Sequence, residues 1–172
     1  LRTNEDQDDV YTYDLMVASR QGADPASIVR GESSNDAVGA TFVDSPTWSA
    51  DGQSIFYLEM TYRKSMLTTR VVRVNTSGSA RLVLASRRVN YKELKYVNGQ
   101  VRSRDAALYT GVDASPDGTR LLIDMTSLFY KSGLASDLVA LDLATNKVST
   151  LEKSAEEGSW SPDGSQIPFT SE

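Results

Sequence analysis

Three aspartates are the first candidates for chemistry, because each recurs with the same neighbours. Asp51, Asp117 and Asp163 lie in the segments WSADG (48–52), ASPDG (114–118) and WSPDG (160–164). A carboxylate can bind a cation, but one carboxylate per segment lacks the alternating oxygen ligands of a calcium loop. Proline and aspartate instead suit the two corners of a type I turn, and the glycine suits a left-handed position. We therefore expect each aspartate to cap its own turn, with a left-handed glycine after it, namely Gly52, Gly118 and Gly164.

A second candidate is a basic segment that also contains tyrosines. Residues 81–104 hold seven cations and a single acid, Glu93. Arginine and tyrosine are typical of binding hot spots, so this segment predicts a docking surface for an acidic protein or an anionic glycan. Ordinary solvated loops are the alternative interpretation. The predicted contact residues are Arg87, Arg88, Tyr91, Lys92, Lys95 and Tyr96, together with Tyr62, Arg63, Tyr130 and Lys131 in connections that we expect on the same face.

Chemistry that depends on histidine or cysteine is excluded. The 172 residues contain neither residue type, which rules out a Ser-His-Asp triad, a thiolate nucleophile and a histidine zinc site within the chain. We therefore expect no catalytic site, no metal site and no cofactor. The net charge of −5 argues against nucleic acid as a partner. We also expect no membrane span, because no apolar run approaches the roughly 18 to 20 residues that one requires.

The elements that must position these residues are strands. Each turn is followed by a strand-like segment: QSIFYLEM (53–60), TRLLIDMT (119–126) and SQIPFTS (165–171). In the second of these, Leu121, Ile123 and Met125 share one face, as period-two alternation requires. A different hairpin pattern lies between them, with two apolar arms around a polar turn, in the segments 14–29, 70–85 and 137–152. The two hairpin types alternate, which predicts a repeated four-stranded antiparallel unit.

A repeated unit with its turn always at the same place predicts an all-β fold, a β-propeller of four-stranded antiparallel blades. A β-sandwich is the alternative, although a sandwich has no reason to repeat one turn sequence in register. About three blade equivalents are present in one propeller segment, 1–172. With the strands of a blade labelled A to D in chain order, we expect the C–D hairpin of a first blade at 14–30, a second blade at 41–85, a basic insertion at 86–106, a third blade at 107–152 and the A–B hairpin of a further blade at 158–171.

Three further residue patterns carry structural predictions. Trp48 and Trp160 precede their turns at the same position, and we expect both to pack between blades. Pro168 lies inside a B strand and removes a backbone donor, which predicts a frayed or edge position. Asn98-Gly99 is a strong signal for a tight turn, so the basic insertion should form an added hairpin or a protruding loop.

The repeated segments resemble the TolB-type repeats, a WD-like β-propeller family. SWSPDGSQIPFTS (159–171) matches the family's aromatic-Ser-Pro-Asp-Gly pattern, and PTWSADGQSIFYLE (46–59) and GVDASPDGTRLLID (111–124) resemble it with alanine at Ala50 and Ala114. The resemblance implies a non-catalytic scaffold that binds a protein or glycan partner at the cell envelope or outside the cell, in a periplasmic or extracellular location.

Two other functions stay open on the sequence. The first alternative is that the chain forms the propeller portion of a larger hydrolase similar to the prolyl oligopeptidases, whose catalytic domain is not in this chain. The second alternative is that the chain is a structural subunit of a surface assembly. Since propellers have four to eight blades, three blade equivalents do not close a ring. We therefore expect further blades, either from the same longer chain or from a second copy.

Overall fold

The computed structural model describes residues 13–32, 39–90, 92, 96–97, 100–101, 106–130 and 133–171, and of these it describes 96–97, 100–101, 128–130 and 133–135 by their backbone alone. The regular elements in this part are β-strands. No described helix has the length and apolar composition needed to cross a membrane. The strands are β1 (Leu15–Val17), β2 (Ala26–Val29), β3 (Thr41–Trp48), β4 (Ser54–Arg63), β5 (Met66–Asn75), β6 (Leu82–Asn90), β7 (Tyr96–Val97), β8 (Gln100–Val101), β9 (Ala107–Ala114), β10 (Arg120–Tyr130), β11 (Gly133–Asp142), β12 (Val148–Lys153), β13 (Ala155–Glu156) and β14 (Thr170–Ser171).

Two four-stranded antiparallel sheets form the centre of the structure. Sheet I has the order β3-β4-β5-β6, and sheet II has the order β9-β10-β11-β12. Consecutive strands are neighbours in both sheets, because tight hairpins join antiparallel strands directly. The N-terminal hairpin (β1–β2), the C-terminal hairpin (β13–β14) and the short β7–β8 hairpin are separate two-stranded sheets. The predicted all-β fold of four-stranded antiparallel units is confirmed.

The sheets stack face to face, and each face that is covered is apolar. Phe56, Leu58 and Val71 of sheet I pack against sheet II, where Leu121 and Ile123 belong to the same core. The opposite face of sheet I packs on the N-terminal hairpin, and the opposite face of sheet II packs on the C-terminal hairpin. Successive side chains of a strand point to opposite faces, so a strand buried on both faces reads as a continuous apolar run such as LLI (121–123).

The strands extend further than the sequence indicated around the basic insertion. Arg87 and Arg88 were expected in the insertion 86–106 but lie in β6, which pairs with β5 as far as Asn90 opposite Met66. The reason is that the ten-residue strand β5 offers a partner along the whole length of β6. Beyond β6, the β7–β8 hairpin flanks the predicted Asn98-Gly99 turn, whose two residues lie outside the described part.

The C-terminal hairpin is short because of Pro168. Ser159 N donates to the carbonyl of Pro168 at 3.3 Å, but proline has no N–H with which to return the second bond. The paired strands are therefore limited to β13 and β14, although the turn itself is complete. The prediction for Trp48 is wrong in the described structure, since this residue is 52% exposed instead of packed between sheets. Trp160 does pack, against the core that contains Leu122 and Leu138.

Candidate functional site

The three aspartate turns share one hydrogen-bond pattern. In the first, the Ser49 hydroxyl donates to Asp51 Oδ1 at 2.6 Å, and the Gln53 amide donates to the same oxygen at 3.0 Å. The Ser54 amide donates to Ser49 Oγ at 2.9 Å. The turns of Asp117 and Asp163 repeat these distances of 2.6, 3.0 and 2.9 Å. The serine before the turn is therefore as much a part of the motif as the aspartate.

These hydrogen bonds hold the turn carboxylates in their charged form. The Ser161 hydroxyl and then the Ser165 amide lower the pKa of Asp163 to about 2. The pKa values of Asp51 and Asp117 are also lowered, chiefly by the preceding serine hydroxyl in each turn. Among the described residues, no cluster of three acidic side chains is arranged to hold a metal ion. Each carboxylate thus serves the backbone of its own turn.

The turns of successive repeats lie next to one another. Gly52, Gly118 and Gly164 have φ angles of 67°, 70° and 72°, the left-handed region that favours glycine. A Cβ added to Gly118 would lie 3.2 Å from the Cβ of Ala50, and one added to Gly164 would lie 3.6 Å from Pro116 Cδ. The three turns consequently line one end of the stack of sheets, which we call the turn end.

Asp113 joins three elements near the turn end. Its Oδ1 accepts a hydrogen bond from the Thr47 hydroxyl of sheet I at 3.2 Å, and its Oδ2 accepts one from the Trp160 amide at 2.8 Å. Asp113 itself lies in β9 of sheet II. One carboxylate therefore links both complete sheets to the C-terminal segment. The sequence carried no signal for this residue, because the bridge depends on three segments that are distant in the chain.

A cleft of about 470 Å³ opens between sheets I and II at the turn end. Its apolar wall includes Phe56 and Leu84, and its polar wall includes Arg73, Arg120 and Asp117. The volume is in the range of small-molecule pockets. However, cations and carboxylates both line the cleft, so its charges do not select a class of ligand.

A buried ion pair inside sheet I is structural. Glu59 accepts hydrogen bonds from Arg70 Nη1 at 3.1 Å and from Arg81 Nη2 at 2.7 Å, and its side chain is only 12% exposed. Both carboxylate oxygens are thereby occupied. Arg81 belonged to the basic segment of the sequence, but its charge is neutralised by Glu59 and contributes little to an attractive surface.

The end of sheet I opposite the turns carries exposed cations. Arg63, the last residue of β4, pairs with Met66, the first residue of β5. Met66 also pairs with Asn90, the last residue of β6, so the three strands end side by side. Adjacent strands are about 4.8 Å apart, so these positions lie within two strand spacings. We call the exposed cations Arg63, Lys64, Arg88 and Lys92 the basic end. Within the part of the chain that the structure describes, none of them makes a salt bridge.

Some of the predicted docking residues are exposed, whereas others are half-buried and contact neighbouring strands. Arg63 and Arg88 are exposed at the basic end, but Arg87 is half-buried and its Nε donates to the Ala107 carbonyl at 2.7 Å. Arg87 thus ties β6 to the start of β9. Tyr62 is half-buried and packs edge-on against Phe42, with ring centroids 6.1 Å apart.

Other docking residues are in strands or outside the described part. The sequence predicted loop positions for Tyr62, Arg63 and Tyr130, but all three lie at the ends of strands. Tyr62 and Arg63 are the last two residues of β4, because the connection after β4 is a short turn at Lys64 and Ser65 with a left-handed Lys64. Tyr130 is the last residue of β10. Tyr91, Lys95 and Lys131 lie outside the described residues, and Tyr96 is described only by its backbone in β7.

Comparison with solved structures identifies the arrangement of the sheets. The chain is similar to the β-propeller domain of the trilobed protease from Pyrococcus furiosus, described as having an open velcro topology, with a TM-score of 0.51, 14% identity, and coverage of 76% of this chain and 34% of that chain. The chain has a β-propeller fold. Sheets I and II are complete blades of that fold, and the chain spans about one third of the length of the matched propeller chain.

Two further solved structures resemble the chain more weakly. A puromycin hydrolase has a TM-score of 0.43 and 16% identity, with coverage of 80% of this chain and 18% of that one. An oligogalacturonate lyase in complex with manganese has a TM-score of 0.39 and 11% identity, with coverage of 90% of this chain and 52% of that one. No family model and no curated protein sequence matches the chain.

Proposed function

We propose that this chain is a non-catalytic TolB-like propeller scaffold that binds an anionic protein or glycan, in the periplasm or outside the cell. The observation that carries the proposal is the basic end, where Arg63, Lys64, Arg88 and Lys92 are exposed together on an otherwise acidic chain of net charge −5. The TolB-like assignment and the location rest on the repeated turn motifs.

The electrostatic contrast between the two ends supports an anionic partner. At the turn end, the carboxylates of Asp51, Asp117 and Asp163 are charged and oriented by their own turns. At the basic end, the described cations have no salt-bridge partner within the described residues. The turn-end carboxylates share their surface with Arg73 and Arg120, whereas the cations of the basic end are not neutralised by described residues, so an approaching anion is attracted chiefly to the basic end.

Two of the four basic-end cations, Arg63 and Arg88, are held by paired strands. Arg88 lies inside β6 opposite Thr68, and Arg63 is the last residue of β4 opposite Met66. The half-buried Tyr62 and Phe42 pack together beneath this surface. Cations that are positioned by paired strands lose less conformational entropy on binding than cations on a long loop.

A charge-reversal experiment tests the proposal. Polyglutamate and heparin serve as separate protein-like and glycan probes, titrated calorimetrically into the wild type and into the variant Arg63→Glu, Lys64→Glu, Arg88→Glu, Lys92→Glu. Exposed ion pairs contribute about 0.2 to 1 kcal/mol each, so losing four weakens binding by roughly 4-fold to 900-fold. The probe that binds more tightly identifies the partner class.

A matched variant controls for net charge. Arg20, Arg120, Lys147 and Lys153 are exposed. Arg20 and Lys147 lie in the connections after β1 and β11, Arg120 lies at the turn end, and Lys153 lies on β12, the edge strand of sheet II. Their reversal to glutamate also adds eight negative charges to the chain's −5, giving −13 in both variants. We expect this control to keep most of the wild-type affinity. Equal loss in both variants, or no binding of either probe by the wild type, would contradict the proposal.

The second candidate function is the propeller portion of a larger hydrolase. The similarity to the propeller domain of a protease favours it at the level of fold alone, with 14% identity. Its test is the complete reading frame: a domain with a Gly-x-Ser-x-Gly segment and a downstream histidine would support this candidate. A complete reading frame without such a domain would remove it.

A further inference from the structure

The cleft at the turn end lies between two complete blades. All of its lining residues belong to sheets I and II and their turns, and neither terminal hairpin contributes one. In these sheets and in the terminal hairpins, each strand end that leads into an undescribed segment lies at the opposite end from the turns. The walls of the cleft are therefore described throughout.

Two aspartates at the cleft each keep one free carboxylate oxygen. Asp51 and Asp117 line the cleft, and the hydrogen bonds that they accept from described residues all go to Oδ1. In the third turn, by contrast, the Ser165 hydroxyl also donates to Asp163 Oδ2 at 2.9 Å. The cleft thus offers two acceptor atoms, Asp51 Oδ2 and Asp117 Oδ2, on carboxylates whose pKa is lowered by their own turns.

Two arginines at the cleft have free donors. Arg73 Nε donates to Ser54 Oγ at 3.1 Å, and neither Nη group of Arg73 has a partner among the described residues. Within the same part of the chain, the Arg120 guanidinium makes no hydrogen bond or salt bridge. Arg73 lies close enough to Asp51, and Arg120 to Asp117, to lower the pKa of that carboxyl. Neither pair forms a salt bridge in the described structure, so a gap separates each cation from its carboxylate.

Net charge alone selects no ligand for the cleft, but the free atoms are more selective. Two aspartates and two arginines cancel, so neither an anion nor a cation is favoured as a whole. Carboxylate oxygens only accept hydrogen bonds and guanidinium groups only donate them, so a matching ligand must do both. The strongest such bonds form between groups of opposite charge. A zwitterion meets these requirements, with its ammonium group at the aspartates and its carboxylate at the arginines.

The outer wall of the cleft is aliphatic. The start of β6 and the β11–β12 connection supply Leu82, Val83, Leu84 and Leu143. Leu84 and Leu143 pack on the core between the sheets, but Leu82 is 54% exposed and Val83 is 40% exposed. Exposed apolar surface that is rimmed by polar groups is typical of a ligand-binding groove. Phe56 also lines the cleft but is only 4% exposed, so it offers little ring surface on which a sugar could stack.

We infer that the cleft binds a short aliphatic peptide with free termini. Arg73 and Arg120 hold its carboxylate, the free oxygens of Asp51 and Asp117 accept hydrogen bonds from its ammonium group, and its side chains cover Leu82. Ligand pockets have volumes of about 300 to 1,000 Å³, so the cleft of about 470 Å³ suits a peptide of about two residues better than a single amino acid. This inference does not depend on the proposed binding function, because it uses none of the basic-end residues.

Calorimetric titration of the 172-residue chain with the dipeptide Leu-Leu tests the inference. N-acetyl-Leu-Leu lacks the ammonium group and Leu-Leu amide lacks the carboxylate, while the aliphatic body is unchanged. Each analogue should bind roughly 10-fold to 100-fold more weakly than Leu-Leu, because it loses a charge-assisted hydrogen bond. Free leucine should also bind more weakly, since it covers less of the aliphatic wall.

Paired variants locate the site. Asp117→Asn keeps an oxygen acceptor for its turn but removes the charge, so it should weaken Leu-Leu binding by roughly 10-fold. Asp163→Asn makes the same change in a turn that does not line the cleft and should bind Leu-Leu as the wild type does. Leu82→Asn should also weaken binding, whereas Val148→Asn, which alters a 43% exposed side chain on β12, should not. Both leucine-wall variants change exposed positions, so they should fold, which circular dichroism checks.

Three results would overturn the inference. The first is the absence of Leu-Leu binding by the wild type. The second is equal affinity for Leu-Leu and either capped analogue, which would show that one terminus is not recognised, or equal affinity for free leucine. The third is an equal loss of affinity in Asp117→Asn and Asp163→Asn, or in Leu82→Asn and Val148→Asn, which would place the binding outside the cleft.

Discussion

The contact between successive turns makes a sharp prediction for Gly118. Gly52 and Gly118 occupy the same position of their turns, with φ angles of 67° and 70°. Their surroundings differ, since a Cβ on Gly52 meets nothing within 4 Å and a Cβ on Gly118 meets the Ala50 Cβ at 3.2 Å. Alanine at either position suffers left-handed strain, but alanine at Gly118 must also displace the neighbouring turn.

The free energy of unfolding should separate the two substitutions. Left-handed strain costs about 1 to 2 kcal/mol and is partly offset by the lower entropy of the unfolded chain, so we expect a loss of about 1 kcal/mol for Gly52→Ala. Overpacking adds about 1 to 2 kcal/mol, giving a loss of about 2 to 3 kcal/mol for Gly118→Ala. Urea denaturation measures both values.

A double-mutant cycle with Ala50→Gly isolates the contact between the turns. Removing the Ala50 methyl group makes room for the new Cβ at position 118, so the cycle with Gly118→Ala should show a coupling free energy of about 1 kcal/mol. The cycle of Ala50→Gly with Gly164→Ala serves as a control, because the Cβ of position 164 would approach Pro116 instead. Equal losses at Gly52 and Gly118, with no coupling to Ala50, would refute the stacking of the turns.

Three other substitutions test separate features of the structure. Glu59→Gln should lower the free energy of unfolding by about 1 to 3 kcal/mol in urea titrations, because two arginines lose their countercharge; an unchanged midpoint would argue against the ion pair. Burial, with the neighbouring Glu156 and Glu157, raises the pKa of Asp124, so its ionisation weakens folding as the pH rises above the unfolded-state pKa. Asp124→Asn should therefore raise the melting temperature at pH 7 and have little effect near pH 3, and the opposite dependence would contradict the burial of this carboxyl. Pro168→Val should stabilise the C-terminal hairpin by about 1 kcal/mol through a new N–H bond to the carbonyl of Ser159, seen as slow hydrogen exchange of that amide, and fast exchange there would count against the predicted pairing.

The turns were predictable from sequence because their chemistry is local. Serine, aspartate and glycine within five residues satisfy the turn backbone wherever the turn lies in the fold. The strands were predictable for the same reason. Successive side chains of a strand point to opposite faces, so three consecutive apolar residues such as LLI (121–123) indicate a strand buried on both faces. Repetition of these local signals then indicated stacked four-stranded units, and the repeat register placed each strand in its sheet.

The residues whose surroundings were predicted wrongly are determined by contacts with segments that are distant in the chain. Arg87 reads as one more cation of a basic segment, yet the Ala107 carbonyl accepts its Nε–H across the boundary between the blades. Arg81 also reads as a free cation of that segment, but Glu59 of β4, 22 residues earlier in the chain, neutralises it. Trp48 matches Trp160 in sequence, yet Trp160 packs on sheet II whereas Trp48 is 52% exposed. In each case the missing information is which strand lies next to the residue, and no local pattern contains it.

The most direct test of the account is the position at which an anion contacts the protein. Amide chemical shifts of the isotope-labelled chain, recorded during titration with the tighter-binding of polyglutamate and heparin, report both ends of the blades at once. The account predicts concentration-dependent shifts at Arg63, Lys64 and Arg88, with the resonances of the turn glycines Gly52 and Gly118 unchanged. Shifts at the turn glycines without shifts at the basic end would contradict it.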